Sequence, residues 1–587
     1  MKKEYSRREF IKKNTITGLG AACTMGLAPS LIAGSLSPER SHSARRNDTL
    51  YFDAFTRIGP RSHKHPEARW SLEHLLEEMD HCSISGALVS YTLSVMYDPM
   101  HSNLELSDKI SSYPYLFGIW NVMPHHTDEF PTPEELGRRM REHDVRAVTI
   151  HPQSNGWDWR ADHSGELLEW LNRNEILTIL TSDEVGGWTG LDEFLEQYTS
   201  IPVLVISSGW IEQRYVLPLV EKHPHLHISF DRLQINKGIE SLHKKGHSDQ
   251  LIFATDTPSM SAGAHRTYID YAAIPDDARA MVAGGNLTRL LGGQKPPSNR
   301  VNRDEDELMA AIRAGRPVPA NLLDMHMHIL DEGLHGAGGA GYRMEDGGPE
   351  GVFNLVNRLD YQGGGIMSWN GVVSSDAPAG NRTVASALDA APRGYWGLAS
   401  FDPTHYSQEE LRSMIPRVYE DRRFIGMKPY HMYGVEYHDP SYDIWWEYGN
   451  EHQLYALIHH SRSDFIEVET LAGRYPNVRW VIAHAGGDFN WADHAIRIMQ
   501  QHSNVYAEVT LTPVNLGIIE YLVEGAGEDR IMYGSDLPMR DPRQQLGWVV
   551  FSRLPVDVKR KMLAENAMRV IGPKLDSLPE YNRPVLS

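Results

Sequence analysis

The chain is written twice. Leu251-Ile-Phe-Ala-Thr-Asp256-Thr-Pro258 is answered by Ile531-Met-Tyr-Gly-Ser-Asp536-Leu-Pro538, and Asn286-Leu-Thr-Arg289 by Asn566-Ala-Met-Arg569, both at an offset of 280 residues. Upstream the offset shrinks. Phe52-Asp53-Ala54 faces Leu323-Asp324-Met325 at 271, Ile150-His151-Pro152 faces Met427-Lys428-Pro429 at 277, and Val205-Ile-Ser-Ser208 faces Val481-Ile-Ala-His484 at 276. So small a drift is what short loop insertions leave. The 587 residues therefore resolve into two copies of one domain, 49–292 and 321–573. A Pro-rich, polar linker, 293–320, joins them around one short helix.

Within each copy short apolar runs alternate with amphipathic stretches. In the second copy the runs are Leu322 to Ile329, Tyr395 to Ser400, Phe424 to Lys428, Leu454 to His459, Trp480 to His484, Val505 to Leu511 and Ile531 to Gly534. Helical patterns such as Ser407 to Glu420 and Asp488 to Gln501 lie between them. This alternation calls for parallel strands with crossover helices. About 250 residues of it predicts an α/β fold of two tandem (βα)8 TIM-like barrels; an open doubly wound sheet is the alternative.

The charge is 57 basic against 77 acidic residues, net −20, which disfavours nucleic acid or an anionic membrane as the main partner and points to a small molecule. Two cysteines, Cys23 and Cys82, exclude a disulfide framework and a thiolate-rich zinc site. Any metal must be held by imidazole and carboxylate, and 29 histidines are present. Residues 5–13, Tyr-Ser-Arg7-Arg8-Glu-Phe-Ile-Lys-Lys, resemble a twin-arginine export signal, followed by a mildly apolar, glycine-broken stretch too weak to span a membrane. Residues 1–35 are read as this signal peptide. The expectation is export to the periplasm or beyond, with no stable membrane insertion after cleavage.

The chemistry-bearing residues cluster in the second copy. Asp324-Met-His326-Met-His328 puts Asp, His and His at alternate positions of a predicted strand. Strict alternation sends all three to one face and Met325 and Met327 to the other, so that two imidazoles can share a metal. Apolar runs also lead straight into His459, His484 and Asp536, and the C-terminal ends of strands are where such barrels place catalytic groups.

These pieces, together with Gly426-Met-Lys428-Pro, Ala483-His484-Ala-Gly-Gly487 and Gly534-Ser-Asp536-Leu-Pro538, resemble the amidohydrolase superfamily in its order across the whole second copy. The group in question holds metal-dependent hydrolases and aromatic or acrylic acid decarboxylases. The resemblance implies one divalent metal, Zn2+ with Mn2+ or Fe2+ also admitted, held by His326, His328, His459 and Asp536. It implies that Asp536 also moves a proton and that His484 polarises substrate or serves as acid or base. Lys428 is assigned as a contact for a substrate carboxylate, and His460 as a supporting or packing residue.

The first copy keeps the frame without the ligands. Asp53-Ala-Phe55-Thr-Arg57 replaces the histidine motif, Thr181 stands against His459, Ser208 against His484, and only Asp256 survives. That copy is expected to hold no catalytic metal and to act as support or as a wall of the second site. His223-Pro-His225-Leu-His227 leads into a strand and is read as structural, His63-Lys-His65 as a loop pair. Gly336 to Gly341 fits a dinucleotide fingerprint by spacing but opens no helix, so 331–350 is read as a loop at the barrel mouth. Trp369, Tyr430, Tyr433, Trp445 and Trp446 are candidates for an aromatic pocket. Three functions remain open: a metal-dependent hydrolase of a small amide, ester or lactone, a non-oxidative decarboxylase on the same scaffold, and a non-catalytic tandem-barrel binding protein. Oligomeric state is not legible.

Overall fold

The computed structural model describes residues 49–61, 65–209, 211–331, 343–459, 462–511 and 513–587. The signal peptide, His63, the glycine-rich run 336–341 and His460 fall outside these. Two eight-stranded parallel sheets are present, each in sequential order. In the first, β1 to β8 are Phe52–Ile58, Gly86–Tyr91, Leu116–Val122, Ala147–Ile150, Leu177–Leu180, Val203–Val205, Leu226–Ser229 and Leu251–Ile252. In the second, β9 to β16 are Leu323–Ile329, Gly363–Ser368, Tyr395–Ala399, Phe424–Met427, Tyr455–Ile458, Arg479–Ile482, Val505–Val509 and Ile531–Tyr533. Helices follow most strands, as crossover geometry requires. Each sheet curls until its first strand meets the segment beyond its last, through Thr56 with Thr257 and Met327 with Leu537. The fold is two tandem TIM barrels.

Each barrel packs in two layers. Inside the second, Met325, Met367, Leu398, Leu457, Val481 and Met532 fill the lumen, while Met327, Ile366, Met427, Ile458 and Ile482 face the helices. Met325 and Met327 thus lie on opposite sides, which corrects the strict alternation expected for this strand. The cause is a bulge. Asp324 pairs with Gly364 and Met327 with Ile366, so β9 carries one residue more than β10 over the same span. The extra residue turns His326 and His328 to the lumen side and leaves Asp324 behind them. β1 repeats the device between Asp53 and Thr56.

The two barrels meet across a pseudo-two-fold axis. Helix α1 (Ala262–Asp270) follows β8, and the equivalent helix of the second barrel is Pro542–Val550. They cross closely enough that a Cβ on Gly547 would lie 2.2 Å from Thr267 Oγ1, and one on Gly263 2.2 Å from Phe551 Cβ. Two backbone hydrogen bonds frame the crossing: Ser261 N to Val514 O, 2.9 Å, and Asp541 N to Gln234 O, 3.1 Å. Ser261 and Asp541 are 280 positions apart, as are Gln234 and Val514, so each bond is the other's symmetry counterpart. This is the isologous pattern of a homodimer interface, here within one chain. The linker carries helix α2 (Glu307–Arg313). No helix among the described residues is long and apolar enough to cross a membrane, and Cys82 is a buried free thiol.

Candidate metal centre

At the C-terminal mouth of the second barrel His326, His328 and Asp536 bring their donor atoms together. His328 Nε2 lies 3.3 Å and His326 Nε2 3.5 Å from Asp536 Oδ1. All three residues are buried. Backbone bonds fix them: Asp536 N donates to His326 O at 2.7 Å and His328 N to Leu537 O at 2.6 Å. Asp324 stands behind this set, its Oδ1 accepting the N–H groups of His326 (3.0 Å) and Ser535 (3.1 Å). Burial pushes its carboxyl up to about 8, the state of a group that ties two strands rather than binds an ion.

A second grouping overlaps the first: His326, His484 and Glu508. Glu508 Oε1 accepts the His484 backbone N–H at 3.1 Å and lies 2.8 Å from His326 Nδ1. An acceptor at Nδ1 places the proton there and leaves Nε2 as the lone-pair nitrogen turned toward Asp536. His484 Nδ1 lies 2.5 Å from Thr510 O, and a carbonyl only accepts, so its Nε2 is also the unprotonated nitrogen. Burial, followed by the Lys428 charge, draws His326 well below the ordinary imidazole range; burial lowers His328 and takes His484 to about 3. Burial opposes ionisation of Asp536, but its interactions with the His326 ring and the Arg540 guanidinium hold its carboxyl well below the usual range. Neutral imidazoles beside an ionised carboxylate are the protonation states a divalent ion requires.

The donor set fits such an ion on two further counts. Ligands at ~2.1 Å from a tetrahedral centre sit about 3.4 Å from one another, matching the separations above. Asp536 Oδ1 is buried with no hydrogen bond, a costly state for an anionic oxygen unless a cation faces it.

The expected site residues are brought together unevenly. His459 follows β13 with its ring 5.0 Å from that of His484, flanked by Tyr430 at 4.7 Å and His431 at 5.0 Å; it stands at the rim of the centre. Lys428 is fully buried, its Nζ 3.2 Å from His326 Nε2, and burial lowers it to about 8. Trp369 lies edge-on to His328 at 5.1 Å. Trp369 and Tyr430 therefore belong to the site, whereas Trp445 and Trp446 stack on each other at 5.2 Å in the core. Glu508 and Arg540 escaped the sequence reading. Glu508 had one signal, a lone carboxylate in an otherwise apolar strand. Arg540 pairs with Asp536 Oδ2 from beyond the motif.

The first barrel reproduces the frame in detail. Asp53 Oδ1 accepts from Phe55 N (3.1 Å) and Thr255 N (3.2 Å), as Asp324 does, and burial likewise raises it to about 8. Asp256 and Asp536 share a left-handed backbone, as do Ser207 and His484. Ile206 N bonds Leu180 O where Ala483 N bonds Ile458 O, so Ser207, not Ser208, stands in the place of His484. Its N–H goes to Asp231 at 3.1 Å. Arg57, at the His328 position, binds Asp256 Oδ1 through Nε (3.1 Å) and Nη2 (3.0 Å). His223 of the histidine-rich decoy pairs with Asp192 at 2.6 Å.

The first barrel also reaches over the second. Gln213 Nε2 donates to Arg343 O (2.8 Å), Asn236 Nδ2 to Glu345 O (2.7 Å), and Lys237 Nζ pairs with Asp346 at 2.7 Å. Between these anchors Met344 packs with Leu330 and Trp369, and Trp369 touches His328.

A barrel with a His/His/Asp mouth, paired with a twin that has no imidazole at those positions, makes a tandem scaffold with one candidate metal site. The chain belongs to the amidohydrolase family, whose model matches residues 102–293 and 323–572 and whose members are mostly metal-dependent hydrolases and decarboxylases. Similar solved structures each span one barrel. A TIM-barrel protein from Bordetella bronchiseptica is 14% identical, covering 43% of this chain and 99% of its own, with a TM-score of 0.36. The 5-carboxyvanillate decarboxylase from Sphingomonas paucimobilis is 16% identical over 43% of this chain and 98% of its own (TM-score 0.31). A dihydroxybenzoic acid decarboxylase from Polaromonas with bound manganese is 15% identical over 44% and 98% (TM-score 0.33). No curated protein matches the chain.

Proposed function

We propose that the second barrel is a metal-dependent hydrolase acting on an amide, ester or lactone of a small molecule. The observation that carries this reading is the bare, ionised Asp536 Oδ1 set 3.3 and 3.5 Å from two imidazole nitrogens. His326, His328 and Asp536 would hold the ion, with His459 completing the set from the rim. A divalent ion there, Zn2+ or, with the same donors, Mn2+ or Fe2+, supplies Lewis acidity toward a carbonyl and acidifies water to a pKa of ~7. Asp536 accepts the proton of the attacking water and returns it to the leaving group. His484, unprotonated at Nε2, is the alternative base. Glu508 fixes the tautomer and aim of His326. Trp369 and Tyr430 shield the reacting atoms from bulk water.

Lys428 favours a second reading, a non-oxidative decarboxylase. A buried ammonium beside the centre suits a substrate carboxylate; as CO2 leaves, the electron pair of the broken C–C bond stays on the substrate carbon, which takes a proton that Asp536 or a neighbour relays from water. Incubating the metal-loaded protein with a panel of lactones, esters, amides and aromatic carboxylates, while following acid release and CO2 release separately, tests both. Acid release lost in His326→Ala supports hydrolysis, CO2 release alone replaces it with decarboxylation, and neither product from the metal-loaded protein removes both in favour of a binding protein. Export is inferred from Arg7 and Arg8; cell fractionation of the wild type against Arg7→Lys/Arg8→Lys tests it.

A further inference from the structure

The mouth of the first barrel carries more positive charge than the one carboxylate it shares with the second barrel, Asp256, can use. Arg57 already satisfies Asp256 with two hydrogen bonds. Arg61 nevertheless adds its own Nη2 at 3.4 Å, and the charge of Arg232 also acts on Asp256 and on Arg61. The other acid nearby, Asp231, is buried and occupied by Ser207 N, Ser207 Oγ and Ser229 Oγ, and burial raises its carboxyl. Two guanidiniums thus bind one ionised carboxylate, within the field of a third. The Nε atoms of Arg61 and Arg232 are buried and make no hydrogen bond, which is costly for a cationic donor unless something else accepts from it.

Arg61 also borders a cavity of about 210 Å³ at the seam between the barrels, walled by Trp70, Phe489 and Leu516. The other charged groups there have partners: His65 pairs with Asp493 at 3.4 Å, Arg69 with Glu77 at 3.2 Å, and Asp488 caps a helix through Trp491 N at 2.9 Å. A ligand with an anionic head and a flat apolar body matches both features. Planar guanidinium forks match a carboxylate in particular.

We propose that the first barrel is a binding site for a small organic carboxylate, its head on Arg61 within the field of Arg232 and its body in the cavity between the barrels. This stands independently of the reaction assigned to the second barrel. The test is calorimetric titration of the full chain with benzoate, with inorganic phosphate as a second probe. Benzoate is expected to saturate one site that persists in His328→Ala, weakens as ionic strength rises, and weakens about tenfold or more in Arg61→Met and in Arg232→Met. Arg61→Lys should recover part of the loss. Arg61 lies on a loop, so its variants remain informative if Arg232→Met does not fold. Unchanged binding in both methionine variants, binding lost in His328→Ala alone, or phosphate binding without benzoate binding would each overturn the proposal.

Discussion

Arg57 lies against Asp256 in the first barrel where His328 lies against Asp536 in the second, Nη2 to Oδ1 at 3.0 Å against Nε2 to Oδ1 at 3.3 Å. A guanidinium has taken the place of the imidazole and of the ion it would share. The carboxylate keeps a cation, now covalently supplied and permanent. Metal analysis of the purified protein should therefore find about one divalent ion per chain, lost in His328→Ala. An ion bound in the first barrel would show as two per chain.

Glu508 reaches the centre through His326 and the His484 backbone. Glu508→Gln keeps an acceptor but removes the carboxyl group, and should weaken metal affinity roughly 10- to 100-fold without unfolding the chain. Competition with a chelator measures this, and affinity equal to the wild type would remove Glu508 from the centre.

The contact between barrels contains a buried ionic set: Arg543 binds Asp541 within its own helix turn and Glu240 of the first barrel. Burial alone would raise Glu240, but the Arg543 charge brings its carboxyl down to about 2. Its folded value is thus below the unfolded value of ~4.3. The stability it contributes is present in full above that unfolded value and is lost as pH falls from there toward 2. Glu240→Gln should cost about 1.5–3 kcal/mol at neutral pH, and its denaturant midpoint should fall less steeply than that of the wild type across the acid range.

Gly547 allows the two crossing helices to touch. With Thr267 Oγ1 at 2.2 Å and Gly263 O at 2.9 Å from any added Cβ, Gly547→Ala should destabilise by about 1–3 kcal/mol, read as a drop in melting temperature. An unchanged midpoint would mean that the helices separate freely.

The anchors over the second mouth should act on turnover rather than on metal content. Asn236→Ala releases Glu345 O, loosening the segment that carries Met344 onto Trp369. Steady-state kinetics should show kcat/KM falling about three- to tenfold with the ion retained.

Much of this was legible in the sequence because the chain supplies its own alignment. The repeat pointed to two barrels, and the strand-end residues His326, His328, His484 and Asp536 lie together at one mouth. Three features escaped for physical reasons. The bulge in β9 is a backbone event between Asp324 and Met327 that no side-chain pattern records, and it reversed the reading of which residues share a face. β10, Gly363–Ser368, begins with three glycines, since a Cβ on Gly364 would strike Asp324 O at 2.5 Å; close backbone approach replaced the apolar run that marks a strand. Glu508 was hidden among aliphatic neighbours because its partner is a histidine 182 residues away.

The paired bonds Ser261–Val514 and Asp541–Gln234 make the molecule a dimer whose halves are inherited as one gene. In an ordinary homodimer a substitution strikes both centres at once, so neither can be given up without losing the other. Covalent union removes that coupling. One half can then set a fixed cation against its carboxylate, as Arg57 does against Asp256, without any change in the other half.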